Sequence, residues 1–233
     1  MKTIAVIGIG QFGYHVALGL SQKGYEVLAI DKNEDVIVEI KDLVSQAVIL
    51  DATDEKAMRA VNVDNVDKVV IAFGSNVQSS LLTAALIQKM NIQEIYVRVI
   101  NSLQESILKS MEISNLLSIE GEMGTQVANT IASQGVGRYV AISNRHSLIE
   151  ISMPQTLVGK TLESLNVRSQ YAINIVGIKT RIPTVQDDGE VSYESQMTDV
   201  PDPSYPLKRD DLLVISGTDD NLNKFITVIN ADD

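Results

Sequence analysis

The chain has 233 residues, of which 45% are hydrophobic and 21% charged, and its 30 acidic against 19 basic side chains leave a net charge of −11. That acidity argues against nucleic acid or an anionic lipid surface as the main partner, since both draw clustered Lys and Arg, and suits a basic face on a partner protein. The lack of cysteine excludes disulfides, thiolate metal sites and cysteine nucleophiles, and fits a reducing cytoplasm.

The length suits one or two domains with ordinary cores. No stretch approaches the roughly 18 apolar residues of a membrane span, and residue 1 leads straight into a strand, where no signal peptide is expected. With no tryptophan and three phenylalanines, a stacking platform for single-stranded bases is not expected either.

Ile4-Ala5-Val6-Ile7 reads as a strand buried on both faces, and Gly8-Ile9-Gly10-Gln11-Phe12-Gly13 follows it at once, where a parallel strand turns into a helix. Gly8 permits the tight turn, Gly10 leaves no side chain between backbone and a pyrophosphate, and Gly13 lets helix and strand pack closely. Phosphates would then sit at the helix N-terminus, where free N–H groups and a partial charge of roughly +0.5 favour anions. Asp31 ends the second apolar strand, Val27 to Ile30, where a carboxylate can accept from ribose hydroxyls and repel a 2′-phosphate. NAD(H) or another plain adenosine nucleotide is therefore expected over NADP, with Lys32 as a neighbouring cation that softens the repulsion. A glycine turn without any ligand is the plainer reading of the triplet alone.

Further strand-like runs are Ala47 to Leu50, Val69 to Phe73, Ile95 to Val99 and, more weakly, Leu116 to Ile119. Helix-length segments separate them: Phe12 to Lys23, Glu34 to Asp42, Glu55 to Val61, Val77 to Met90 and Ser102 to Met111. This alternation predicts an α/β fold, a Rossmann-like doubly wound parallel sheet with ligands outside the carboxyl ends of its strands. Those ends carry Asp51-Ala52-Thr53, Gly74-Ser75-Asn76 and Arg98 to Asn101. Asp51 can face an adenine amino group, Ser75 and Asn76 can reach phosphates or a second ribose, and Arg98 can balance phosphate charge. Asp51 and Asn76 read equally as N-caps of the next helices, and Arg98 as a surface charge. Glu120 is the least expected member, because a carboxylate near phosphates is repulsive unless a cation or a ligand hydroxyl lies between.

Glu122 to Ser133 carries Met123, Val127, Ala128 and Ile131 as a helical stripe, ended by Gly135 and Gly137. It reads either as a link between domains or as a sixth covering helix. Beyond it the period changes. Ser147 to Ile151, Ile173 to Lys179 and Asp211 to Gly217 read as strands, Thr161 to Leu165 as a short helix and Asn221 to Val228 as a closing helix. Gln186-Asp187-Asp188-Gly189-Glu190 has hairpin-turn chemistry, and Pro201, Pro203 and Pro206 stiffen the loop from 199 to 206. The expected division is a nucleotide-binding domain at 1–120, a crossover helix and linker at 121–144, and a small α+β domain at 145–233.

Catalysis has few candidates. His15 and His146 are the two histidines, one early in the first helix and the other at the start of the second domain without a visible partner. No paired metal-ligand spacing, nucleophile elbow or P-loop is present. The acids Asp187-Asp188 and Asp219-Asp220 follow no calcium-loop pattern. No enzyme is expected; the rival reading is a small NAD-dependent oxidoreductase with an unidentified substrate.

The run Ala5 to Gly13, the strand Val27 to Asp31, Asp51-Ala52-Thr53, and Ala72-Phe73-Gly74-Ser75-Asn76 with Ser79-Ser80 together resemble the regulatory subunits of bacterial Trk and Ktr potassium-uptake systems, built from the RCK (regulator of conductance of potassium) domain. The C-terminal half is similar to the RCK C-terminal domain through Leu157 to Leu162, Leu165 to Arg168, Asn174 to Lys179 and Asp210-Asp211-Leu212. The resemblance implies an N-terminal domain binding NAD(H) or ATP, ADP or AMP at the matched positions, with Glu120 where Ktr-type relatives place a glutamate near the phosphates. Gln11 stands where those relatives often have an arginine, which favours NAD(H), ADP or AMP over a tightly held triphosphate. The resemblance further implies a cytoplasmic protein, peripheral on the membrane through a potassium-translocating subunit (TrkH/KtrB-like), self-associating as dimers that assemble into a ring. It also implies a small regulator such as a cyclic dinucleotide at the C-terminal domain, where Arg168 and Asn174 match positions used in some relatives. Arg168 pairing with a local carboxylate is the plainer alternative.

Overall fold

The computed structural model describes residues 2–132, 136–143, 145–185 and 191–230. The first apolar run forms β1 (Thr3–Ile7), and strands and helices then alternate: α1 (Gln11–Gln22), β2 (Glu26–Asp31), α2 (Glu34–Ile40), β3 (Gln46–Ile49), α3 (Glu55–Ala60), β4 (Lys68–Ile71), α4 (Val77–Lys89), β5 (Glu94–Arg98), α5 (Ser102–Ser110) and β6 (Asn115–Leu117). The six strands lie in the order β3-β2-β1-β4-β5-β6, every pair parallel. Ile7 pairs with Ile30 on one side and Ile71 on the other, so the carboxyl ends line up along one edge.

The central strands bury both faces because alternate residues belong to different cores. Ala5, Ile7, Leu28, Ile30, Val69 and Ile71 pack with Met58, Ala84, Ile87 and Leu108 on one side. Ile4, Val6, Val27, Ala29 and Val70 pack with Ala17, Ile37 and Ile40 on the other. Each Val, Leu, Ile or Met side chain among them contributes about 1.5–3 kcal/mol on burial, which makes the register of the central strands rigid.

Helix starts differ in a way that matters for the site. Asn33, Asp54, Asn76 and Asn101 cap α2, α3, α4 and α5, their side-chain oxygens accepting backbone N–H groups of the first turn. α1 starts at Gly10 with no side-chain cap.

The remaining elements are α6 (Ile119–Ala132), β7 (Val136–Ser143), β8 (His146–Ser152), α7 (Leu162–Leu165), α8 (Val167–Tyr171), β9 (Asn174–Val185), β10 (Val191–Thr198), β11 (Leu212–Thr218) and α9 (Asp219–Asn230). The chain divides into two compact units, Met1–Gly121 and Glu122–Asp233. In the second, an antiparallel sheet runs β10-β9-β11-β8-β7. Ile149, Ile151, Ile178, Leu213 and Ile215 pack there with Leu222, Phe225 and Ile229 of α9. Asp211 is buried and accepts from Lys208 N, Thr180 Oγ1 and Tyr205 Oη, which anchors the proline-rich loop to the sheet.

Several boundaries depart from the sequence expectation. α6 starts at Ile119, so Glu120 sits in a first helical turn, beyond the end of β6. Gly137 lies inside β7, a strand where only a linker was expected. β7 is the edge of its sheet and mostly exposed, so it lacks the alternation that betrays a half-buried strand. None of the residues of α6 is buried, which removes the reading of a sixth covering helix: Met123, Val127 and Ile131 are 53%, 48% and 79% exposed. Gly135 and the expected turn at 186–190 lie outside the described residues; β9 and β10 on either side of that turn pair antiparallel.

Candidate nucleotide site

A cavity of about 430 Å³ opens at the carboxyl ends of the parallel strands, where β1 has β2 on one side and β4 on the other. This is the point at which the strand order reverses and open α/β sheets bind ligands.

The glycine turn forms its floor. Gly8 has φ +91°, and a Cβ there would meet Phe73 at 3.0 Å; its N–H donates to Ile30 O at 2.8 Å. At Gly13 a Cβ would overlap the carbonyl oxygen of Gly8, so helix and turn require glycine for their own packing. Gly10 is different. It has an ordinary φ of −73°, and a Cβ there would meet nothing within 4 Å. Nothing in the protein demands glycine at this position, which lines the cavity beside the uncapped start of α1.

The acids are oriented by backbone and hydroxyl donors. Asp31 accepts from Ile9 N through Oδ2 at 2.7 Å and from Asn33 N through Oδ1 at 2.9 Å. A carboxylate has about four acceptor sites, so Asp31 keeps lone pairs for a further donor. Asp51 accepts from Thr53 Oγ1 at 2.7 Å and Thr53 N at 2.9 Å. Those two bonds, the hydroxyl's first, and the charge of Lys32 hold its carboxyl below its ordinary value of 3.8 against a small opposing effect of burial. Asp51 does not cap α3, a role that falls to Asp54. Asn76 does cap α4, its Oδ1 accepting from Ser79 N at 2.9 Å, and it also lines the cavity.

Arg98 closes one end. Its guanidinium lies against Gly74, where a Cβ would meet Nη1 at 2.9 Å, and its Cζ is 5.6 Å from the centre of the Phe12 ring. Nη2 donates to Glu120 Oε1 in an ion pair, which holds the Glu120 carboxyl below its ordinary value of 4.5. Nε is buried without a hydrogen-bond partner, an arrangement that costs about 1–3 kcal/mol unless an acceptor arrives.

Of the expected site residues, Gly8, Gly10, Gln11, Asp31, Lys32, Asp51, Ala52, Gly74, Ser75, Asn76 and Arg98 line one cavity. Phe12, Gly13, Thr53 and Glu120 do not. They stand behind it: Gly13 in packing, Phe12 and Glu120 against Arg98, and Thr53 against Asp51. The lining also includes Ile7, Ile30, Leu50, Ala72, Phe73 and Ser79, none singled out as a ligand contact, although all but Leu50 lie in the runs that carry the family resemblance. The strand-end position of most of these was the signal available. Ser79 belongs to the run that carries the family resemblance, and Asn76 holds it there by accepting from Ser79 N. In the second unit, Arg168 Nε donates to Asn174 Oδ1 at 3.1 Å with both side chains exposed; the expected carboxylate partner of Arg168 gives way to an amide.

A six-stranded doubly wound sheet, a glycine turn, an uncapped helix and an acid ending β2, gathered at the switch point, define a Rossmann-type fold of the nucleotide-binding class. The TrkA-N domain model matches residues 4–119 and the TrkA-C domain model residues 147–230. The chain belongs to the RCK-domain regulatory subunits of bacterial Trk and Ktr potassium-uptake systems. It is 34% identical over 224 residues to Ktr system potassium uptake protein C of Bacillus subtilis, covering 96% of each chain, and 30% identical to Ktr system potassium uptake protein A of the same organism, covering 96% of this chain and 95% of that one. The GsuK RCK domain shares the fold with a TM-score of 0.65 at 14% identity, covering 98% of this chain and 47% of that chain. No helix of the described residues is long and apolar enough to cross a membrane.

Proposed function

We propose that this chain is a cytoplasmic nucleotide sensor that gates a membrane-embedded potassium-translocating subunit of the Ktr type. One observation carries the nucleotide reading. Gly10 keeps space open toward the cavity that the protein itself does not need, beside helix N–H groups that no side chain caps. A diphosphate fits both features, since its oxygens accept those N–H groups and the buried Arg98 Nε. Asp31 then takes the ribose hydroxyls, Asp51 and Lys32 flank the adenosine, and Ser75 and Asn76 meet the second half of the ligand. NAD(H), ADP, AMP and ATP are the candidate ligands; Gln11 supplies hydrogen bonds without charge, which disfavours a tightly held triphosphate.

Sensing, as opposed to conversion, requires that the nucleotide bind one assembly shape better than another. Turning a 1:99 population into 99:1 needs about 10⁴-fold preference, which identical subunits divide among them. The exposed stripe Met123, Val127 and Ile131 on α6 supports self-association, because monomers rarely leave such a stripe uncovered. The deciding experiment is calorimetric titration of the purified chain with NAD, NADH, ATP, ADP and AMP, repeated with the membrane subunit in potassium-flux vesicles. Binding that changes flux is expected. Indifference to every one of these nucleotides at millimolar supply refutes the reading, and steady turnover of NAD with a candidate substrate replaces it with an oxidoreductase.

A further inference from the structure

Among the described residues of the first unit, the buried polar side chains are Ser80, Thr83 and Gln104, and all of them bond toward turns that line the cavity. Thr83 Oγ1 donates to Ala52 O at 3.4 Å. Gln104 Nε2 donates to Ser80 Oγ at 3.0 Å and to Arg98 O at 3.2 Å, and its Oε1 accepts from Ile100 N at 2.8 Å. One amide therefore grips the backbone on both sides of Val99 and reaches across to α4, the helix that follows Ser75 and Asn76.

Helix capping does not account for this arrangement. Asn101 caps α5 by accepting from Gln104 N at 2.8 Å, and a residue at that spacing ordinarily returns its own side chain to the N–H of the cap. Gln104 instead accepts from Ile100 N, one residue earlier, and turns its amide nitrogen to Ser80 and Arg98. A buried amide is tolerated only when its donors and acceptor are met, and an apolar side chain of the same size would pack α4 on α5 without that demand. What the network fixes is the site. Arg98 stands at the end of β5, and Gly74, Ser75, Asn76 and Ser79 follow β4; all of them line the cavity.

We propose that Gln104 is the positioning residue of the phosphate half of this site, its buried amide holding Arg98 and the first turn of α4 in place before a ligand arrives. The inference rests on the nucleotide reading above and adds to it the source of that half's rigidity. Gln104 does not line the cavity; it acts through Arg98. A guanidinium already placed against Gly74 and Phe12 loses little freedom when a phosphate meets it, and that saving appears as affinity.

The test titrates the full chain with ADP, NAD and adenosine, the last by ligand-observed NMR, and repeats the titrations with Gln104→Met, Arg98→Met and the double variant. Gln104→Met is expected to weaken ADP and NAD about tenfold, the size of one charge-assisted bond, and to leave adenosine within about twofold. Arg98→Met has an effect of similar size. The double variant then binds ADP within about twofold of Arg98→Met alone, because a residue that acts through Arg98 has little further to lose. Additive losses, about a hundredfold for ADP in the double variant, overturn the proposal. So does a Gln104→Met protein that binds ADP like wild type or weakens ADP and adenosine equally. Should Gln104→Met melt below the titration temperature, Ser80→Ala carries the test. It keeps the bonds to Arg98 O and Ile100 N but leaves the amide one anchor fewer, so ADP and NAD weaken about threefold with adenosine unaltered; no loss, or an equal loss for all three, overturns the proposal. If wild type binds none of the three compounds, the nucleotide site itself fails, a result distinct from any of these.

Discussion

Gly10→Ala separates a glycine kept for a ligand from one kept for the fold. Its φ of −73° is open to any residue, and the added methyl meets nothing within 4 Å. Two backbone effects oppose each other. Removing glycine restricts the unfolded chain and stabilises by about 0.4–1 kcal/mol, whereas alanine is a poorer N-cap than glycine by roughly 0.5–1 kcal/mol. Net stability therefore stays within about 0.5 kcal/mol of wild type, and the thermal midpoint within about 3 °C. Ligand affinity does not survive, because the methyl occupies the space needed by the phosphates. Losing two charge-assisted bonds at about 1.5–3 kcal/mol each lowers affinity a hundredfold or more. Calorimetry with ADP and NAD, paired with thermal melts of the same samples, measures both quantities. A Gly10→Ala protein that binds like wild type refutes the site, and one that unfolds 10 °C early refutes the structural argument.

Gly13→Ala gives the opposite pattern: its Cβ overlaps the Gly8 carbonyl oxygen, so a loss of about 1–3 kcal/mol or more in urea unfolding is expected even without ligand. Asp31→Ala removes the acceptor at the end of β2, lowering NAD affinity at least about tenfold while NADP gains relative to NAD, both read by competition titration. Ala172 sits at φ +52° in the C-cap of α8, so Ala172→Gly relieves left-handed strain and stabilises the protein by about 0.5–1 kcal/mol after the entropy cost of glycine, read as a higher melting point; a lower melting point contradicts this. Asp51 and Glu120 have folded pKa values below their ordinary 3.8 and 4.5. Their contribution is complete above about pH 5 and is lost as the pH falls through the lowered values. Urea midpoints flat from about pH 5 to 7 and declining below about pH 4 are expected, with Glu120→Gln shallower on the acid side.

The first unit was legible because its central strands carry apolar residues on both faces, a pattern that Ile4 to Ile7 and Val27 to Ile30 display without tertiary help. Asp31 was legible by its distance from the glycines. What stayed hidden depends on contacts made in three dimensions. Asp51 reads as a cap of the next helix on paper, but Asp54 serves α3 and Asp51 is turned to Thr53 instead. Arg98 and Glu120 are 22 residues apart and meet because β5 and the start of α6 end beside each other. β7 escaped notice because an exposed edge strand has no obligatory pattern, and its pairing with β8 comes from the backbone.

Helix α6 runs for fourteen residues without burying one of them, and a helix of that length is marginal alone in water. Under the self-association proposed above, its winding and the meeting of sibling chains are one event, driven by the apolar surface that comes to lie along Met123, Val127 and Ile131. A copy left without a sibling would then carry a frayed segment in mid-chain, the kind of site at which a protease cuts.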